Sequence, residues 1–245
     1  MSRASTSEGP GPPGRAVPWG IRRLSRAVTY RARSRVRRLR PSWHQTSNRT
    51  EADRYPATFR SVADAFMQRP PAELRVLSYG CSTGEECLAL RKYFAEATIV
   101  GTDIDRRNLA VCARTIEDAR ILFCHSRASR LLRLAPFDAI FAMSVLCRAT
   151  SHTHGRTDIS RIYPFRRFDK AVALLDSLLD PGGILTICNA NYRFTDTTTS
   201  ANYESIPVPI FDSSRLVTIF EPDGMQALDQ TPPPLAYRKL EVSDG

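Results

Sequence analysis

A short apolar run, Val76-Leu77-Ser78-Tyr79, breaks into Gly80-Cys81-Ser82-Thr83-Gly84 and resumes at Glu85-Glu86 with helical spacing. A strand that passes through a small-residue turn straight into a helix begins a βαβ unit, which commits a chain to parallel strands joined by crossovers. The chain beyond residue 50 keeps that alternation. Strands are predicted at Arg75–Tyr79, Thr98–Asp103, Ile121–His125, Phe137–Met143 and Gly183–Asn189. Helices are predicted at Ala57–Arg69, Gly84–Ala95, Arg106–Arg120 and Pro164–Leu179, the first stopped by Pro70-Pro71. Two later β-like runs, Arg215–Phe220 and Leu235–Val242, bring the count to seven strands. The expected fold class is therefore α/β: a seven-stranded, mostly parallel sheet sandwiched by helices. No internal repeat is present.

Residues 1–50 form a separate region. They hold 12 arginines, no lysine and the single acid Glu8, a net charge of +11 against +10 for the whole chain, so the remaining 195 residues are near neutral at −1. A run such as Ser7-Glu8-Gly9-Pro10-Gly11-Pro12-Pro13-Gly14 has too little apolar surface to offset its ordering entropy, so residues 1–50 are expected to be a disordered Arg-rich tail and 51–245 the folded domain. Trp19–Arg40 alternates Arg with Ile21, Leu24, Val28, Val36 and Leu39, the composition of a basic amphipathic helix on an anionic surface, of a solvated tail, or of a mitochondrial transit peptide. All three readings stay open. No apolar run reaches the roughly 18 residues of a membrane span. Cys81, Cys87, Cys112, Cys124, Cys147 and Cys188 include no C-x-x-C pair, which points to a reducing compartment and away from disulfides or zinc. A cytoplasmic location is expected, with an organellar address in the tail as the other outcome.

The turn carries the chemistry. Gly80 and Gly84 permit backbone conformations that a Cβ forbids, letting a ligand lie against the main chain. The next strand ends in Gly101-Thr102-Asp103, where an acid accepts ribose hydroxyls in dinucleotide-type folds. A pyrophosphate would favour a helix N-terminus free of anions, yet Glu85 and Glu86 occupy that first turn. Two carboxylates repel phosphate and attract a ligand with ammonium and sulfonium charges, such as S-adenosylmethionine. The alternative for these glutamates is that they only complement the helix dipole, worth ~0.3–1 kcal/mol each.

The stretch Ser78-Tyr79-Gly80-Cys81-Ser82-Thr83-Gly84-Glu85-Glu86 resembles the nucleotide loop of the CheR-type class I S-adenosylmethionine-dependent methyltransferases, and Thr102-Asp103-Ile104-Asp105 resembles the T-D-I-D that follows their second strand. Phe137-Asp138-Ala139-Ile140-Phe141 and Leu179-Asp180-Pro181-Gly182-Gly183-Ile184-Leu185 are similar to wider class I patterns, so the likeness spans about residues 73–190. It implies a Rossmann-like fold with S-adenosylmethionine as cofactor. Gly80, Ser82 and Gly84 would line its methionine end, Glu85 or Glu86 would meet its ammonium, Asp103 its ribose and Ile104 its adenine. Ser78 stands where most class I enzymes place a carboxylate, and the CheR-type pattern also has Ser there. After the fourth strand the family motif is close to N-V-L-I-Y-F, whereas this chain reads Ser144-Val145-Leu146-Cys147-Arg148-Ala149. Ser144 is left to bond the cofactor, and the motif's tyrosine is missing.

Methyl transfer from a sulfonium needs alignment and exclusion of water, and no metal. The acceptor is expected against loops beyond the C-terminal strand ends. Candidate residues there are His152 and His154 as bases, Asn191 and Tyr192 after the fifth strand, and Arg148, Arg156 and Arg161 for an anionic substrate. The acceptor is a small molecule or a protein side chain on this reading, since a neutral domain argues against RNA. The competing reading is a catalytically inactive nucleoside-binding or scaffold protein acting through its basic tail.

Overall fold

A computed structural model describes residues 44, 45, 53–148, 150–209 and 217–241, all within one compact unit spanning Arg40–Gly245. The tail expected at residues 1–50 lies outside the described residues except for His44 and Gln45. Strands β1 (Arg75–Tyr79), β2 (Thr98–Asp103), β3 (Ile121–His125), β4 (Phe137–Met143), β5 (Leu179–Cys188), β6 (Tyr203–Ile206) and β7 (Ala236–Lys239) form one sheet in the order β3-β2-β1-β4-β5-β7-β6. The first five run parallel, and β7 pairs antiparallel with both β5 and β6. Helices α1 (Pro56–Asp64), α2 (Glu85–Tyr93), α3 (Arg106–Thr115), α4 (Ala128–Leu131), α5 (Thr150–Thr153) and α6 (Phe165–Leu178) connect them. The expected seven-stranded α/β architecture is the observed one.

Side chains alternate across a strand, and the two halves of the core follow that period. Leu77 and Tyr79 of β1 join Val100, Ile140 and Leu185 on one face, against Phe168, Val172, Leu175 and Leu178 of α6. These α6 positions recur at three- and four-residue intervals, so one stripe of the helix is buried. Val76 of β1 joins Ile99, Phe141 and Ile184 on the other face, against Phe59 and Val62 of α1 and Cys87 and Leu90 of α2. Asp138, at the start of β4, ties the lower edge together by accepting from the Arg75 N–H at 2.7 Å and pairing with Arg69 at 3.0 Å.

The sixth strand is not the predicted one. Arg215 lies outside the described residues, and residues 217–220 make only an isolated bridge, Phe220 to Gln226. Ile219 N–H donates to Gln230 Oε1 and Phe220 N–H to the Asn191 carbonyl, so the backbone pairs with loop groups. Burial of Ile219 and Phe220, not ladder pairing, explains the apolar run. The strand edge goes instead to Tyr203–Ile206, a half-exposed segment of weak periodicity. The first helix also ends early, at Asp64 instead of Arg69.

Candidate cofactor and acceptor site

β1 lies between β2 and β4, so the sheet order reverses there, and the C-terminal strand ends at such a reversal are where open α/β sheets bind their ligands. The turn after β1 is pinned to the end of β2. Gly80 and Cys81 N–H groups both donate to the Thr102 carbonyl at 2.8 Å, and Ser82 N–H donates to Asp103 Oδ2 at 3.0 Å. Gly80 has φ +88° and Gly84 +98°, which glycine adopts without a steric penalty, whereas Ser82 at +52° carries one. A Cβ on Gly80 would come within 2.5 Å of Val145 Cγ2, and one on Gly84 within 2.4 Å of Ile116 Cδ1. The room left by both missing side chains is therefore taken by packed residues of the loop after β4 and the end of α3. Ser82 Oγ is enclosed and has no hydrogen-bond partner among the described residues. Beneath the turn, Cys81, Cys87 and Cys112 pack together. Cys112 Sγ lies 3.4 Å from the Ser82 carbonyl as its donor. Contacts with Cys112 and Cys87, then burial, push the Cys81 thiol well up, leaving it a packing group.

Asp103 ends β2 turned toward this loop. Besides Ser82, the Asp105 N–H donates to its other oxygen at 2.6 Å. A carboxylate accepts at about four sites, more than the bonds from Ser82, Asp105 and Asn108 take up. Burial raises the Asp103 pKa, and the hydrogen bonds from Asp105, Asn108 and Ser82 oppose that rise. Ile104 is half-buried at the next position, alongside His125, the β3 residue in register with Asp103.

The two glutamates part company. Glu85 accepts at both oxygens from Thr83 Oγ1, at 2.8 Å each, within its own turn. Glu86 reaches back to β1, where Ser78 Oγ donates to its Oε1 at 2.7 Å. Ser78 itself is fully buried. Desolvation pushes the Glu86 pKa up to about 8 against the pull of the Ser78 hydrogen bond and the Arg54 charge. At neutral pH its carboxyl is mainly protonated.

At the ends of β4 and β5, Ser144 and Asn189 both hold left-handed backbone, with φ +57° and +54°. Such strain in non-glycine residues gathers at functional sites. Asn189 Nδ2 donates to Ser144 Oγ at 2.9 Å, and Ser144 Oγ shares a 2.8 Å hydrogen bond with the Tyr55 hydroxyl. Asn189 Oδ1 is buried with no hydrogen-bond partner among the described residues. Burial pushes Tyr55 up to about 12, so its hydroxyl stays protonated. Arg54 acts electrostatically on Tyr55, Glu86 and Cys188.

Other sequence candidates fall elsewhere. Tyr192, expected to face the acceptor, is only 1% exposed, packs against Tyr163, Phe165 and Phe168, and donates its hydroxyl to the Tyr163 carbonyl. That makes it a core residue, because both ring and hydroxyl are spent inside the domain. Asn191 is likewise buried, its Oδ1 taken by the Arg148 N–H and its Nδ2 by the Thr218 carbonyl. His152 is half-buried in α5, where its carbonyl accepts from Arg156 Nε at 2.9 Å. His154 is exposed just beyond, and among the described residues it bonds neither Tyr55, Ser144 nor Asn189. Sequence reasoning missed Tyr55 altogether, and no local motif marks it. No group of three or more His, Cys, Asp or Glu among the described residues is placed to hold a metal, and no described helix is long and apolar enough to cross a membrane.

A parallel sheet with one antiparallel strand beside its edge, and a glycine turn facing an anchored carboxylate, define a nucleoside-binding α/β protein. The chain belongs to the methyltransferase-domain family, whose model matches residues 71–224, more than half its length, and S-adenosylmethionine is the cofactor of that class. It is 25% identical over 139 residues to the uncharacterized protein RP028 of Rickettsia prowazekii (strain Madrid E), a match covering 54% of this chain and 50% of that one. The chain thus spans about half the length of the curated relative it matches. Among solved structures it is similar to PKMT2 from Rickettsia typhi, with 20% identity, TM-score 0.39, and 56% and 26% of the two chains covered. It is also similar to the S-adenosylmethionine-bound amino pentose methyltransferase CalS10 from Micromonospora echinaspora, with 20% identity, TM-score 0.38, and 66% and 60% covered.

Proposed function

We propose that this protein transfers a methyl group from S-adenosylmethionine to an acceptor held against Tyr55, Ser144 and Asn189. The observation that carries the reading is the Asp103 carboxylate, fixed by the Ser82 and Asp105 amides beside a left-handed turn whose Ser82 hydroxyl is enclosed and unpartnered. The residues present fit a cationic nucleoside. Asp103 keeps lone pairs for a ribose diol, Ile104 offers an apolar flank for a base, and Ser82 Oγ supplies a donor and an acceptor. Glu86 takes the ammonium, in preference to Glu85, because its carboxyl stands beside Ser78 at the strand end where a class I carboxylate would sit. When bound, the cofactor supplies a methyl group made electrophilic by its positive sulfur.

The protein's share is alignment. Tyr55 donates, Asn189 Oδ1 accepts, and Ser144 fixes the angle between them, so an acceptor N–H or O–H can be oriented without a strong base. Tyrosine and asparagine are the groups missing after the fourth strand, and here they arrive from α1's entry and from β5. The non-catalytic reading is not favoured by membership of the methyltransferase-domain family.

Titration calorimetry with S-adenosylmethionine tests the reading. Asp103→Asn is expected to weaken binding ~10- to 100-fold, the worth of one or two hydrogen bonds to a charged group. A wild-type protein that does not bind, or an Asp103→Asn protein that binds unchanged, would exclude it.

A further inference from the structure

Two described residues, His44 and Gln45, fall within the region that the sequence assigns to the Arg-rich tail, yet both are tied into the folded domain. His44 is buried and sets its ring edge-on to Tyr163, with centroids 5.6 Å apart and an interplanar angle of 87°. Its Nδ1 shares a 2.7 Å hydrogen bond with the Tyr163 hydroxyl. Tyr163 is itself fully buried in the core, so His44 is an anchor that fixes where the next side chain starts. Gln45 donates from Nε2 to the Ser144 carbonyl at 3.4 Å and to Cys147 Sγ at 3.3 Å, across 99 and 102 residues of chain. A primary amide has two N–H groups, enough for both acceptors. Cys147 Sγ lies 3.6 Å from the same Ser144 carbonyl as a second donor.

We propose that Gln45, anchored by His44, is a positioning residue for methyl transfer: it holds the peptide between Ser144 and Val145, so that the Tyr55, Ser144 and Asn189 cluster keeps its spacing from the cofactor turn. This rests on the methyltransferase reading. Ser144 has φ +57°, a conformation that a non-glycine residue keeps only where its surroundings hold it. Its N–H donates to the Cys188 carbonyl at 2.8 Å, and its Oγ is engaged by Tyr55 and Asn189. Its carbonyl is left to Gln45 and Cys147, so the amide of Gln45 completes the set of bonds that holds the bend. The next residue, Val145, fills the space that a Cβ on Gly80 would need. Turning the Ser144–Val145 peptide would therefore move the groups that orient the acceptor on one side and a packing partner of the cofactor turn on the other. In-line transfer is sensitive to such shifts, because a misplacement of about 1 Å can cost ~100-fold in rate. Gln45 acts through Ser144 and not on the reacting atoms.

The test compares full-length variants for transfer of labelled methyl groups from S-adenosylmethionine into a cell extract, over a range of cofactor concentrations. Gln45→Met keeps the length of the side chain and removes its donors. It should lower the maximal rate ~3- to 10-fold, the worth of a neutral hydrogen bond, while the cofactor KM and the calorimetric affinity change by less than about twofold. A residue that only packs would be rescued by Gln45→Met relative to Gln45→Ala, whereas a positioning amide is not. In a Ser144→Ala background, Gln45→Met should add less than it costs in the wild type, since both act through one residue. An unchanged maximal rate in Gln45→Met, full recovery by methionine of what alanine loses, or a loss confined to cofactor affinity overturns the role. Should Gln45→Met fail to fold, Gln45→Asn, whose amide is drawn back by one carbon, carries the same expectation. A wild-type chain that transfers no label overturns the methyltransferase reading, and the positioning role falls with it. Transfer by the wild type that Gln45→Met matches overturns the positioning role alone.

Discussion

Glu86 is the residue whose charge state most affects the candidate site. Its folded pKa, about 8, stands above its ordinary value of 4.5. Between those two values the unfolded chain has released the proton that the folded protein still holds, so stability falls as pH rises from about 4.5 to about 8 and levels off above. Glu86→Gln removes the cost of ionisation. It should raise the melting temperature at pH 8.5, by ~1–3 kcal/mol of stability after allowance for partial exposure, and leave it nearly unchanged at pH 5. An ammonium beside Glu86 would favour the carboxylate, so cofactor binding at pH 7 should release a proton. Calorimetry in buffers of different ionisation enthalpy measures that release, and it should vanish in Glu86→Gln. The two tyrosines separate in the same way: Tyr192→Phe should cost ~1 kcal/mol of stability and no cofactor affinity or transfer, whereas Tyr55→Phe should depress transfer.

At the scale of elements, β1, β4 and β5 each deliver a non-glycine residue in left-handed backbone at the candidate site: Ser82, Ser144 and Asn189. Each costs ~1–2 kcal/mol. The cost is tolerated where the strained residue gains a bond: Ser82 to Asp103, Asn189 to Ser144, and Ser144 to Tyr55. The entry to α2 avoids that cost by using Gly84, at φ +98°. Gly84→Ala would force a strained backbone and push against Ile116, so it should destabilise the protein by ~1–3 kcal/mol and weaken cofactor binding, read by urea unfolding and calorimetry. If stability and affinity both survive, the turn is less constrained than its dihedral angles imply.

Over the whole molecule, charge is divided: the arginines of residues 1–50 outweigh a domain that is near neutral. The cofactor reading needs only the domain. A chain lacking residues 1–39 should bind S-adenosylmethionine with the affinity of the full chain, and label transfer by both would place activity in the domain. Removal through residue 50 also takes away His44 and Gln45, with their bonds to Tyr163, Ser144 and Cys147, and should lower the melting temperature.

What the sequence determined by itself was whatever is written in local periodicity: the two-residue alternation of Val76 to Tyr79, the helical stripe of Phe168 to Leu178, the small-residue turn and the acid one strand away. These were legible because neighbours in the chain share a strand or a helix face, and because βαβ units set adjacent strand ends side by side. The family level was readable for the same reason, from the turn and Asp103. Only the tertiary structure decided that Glu86, not Glu85, swings back to β1, that Tyr192 points into the core, and that Phe220 ends a buried loop and not a sheet strand. Tyr55 and Asn189 meet Ser144 across 89 and 45 residues of chain, and Arg148 reaches the Tyr163 ring from the far side of an intervening loop. Convergence over such separations depends on strand register and on the packing of helices over the sheet, which no window of sequence contains.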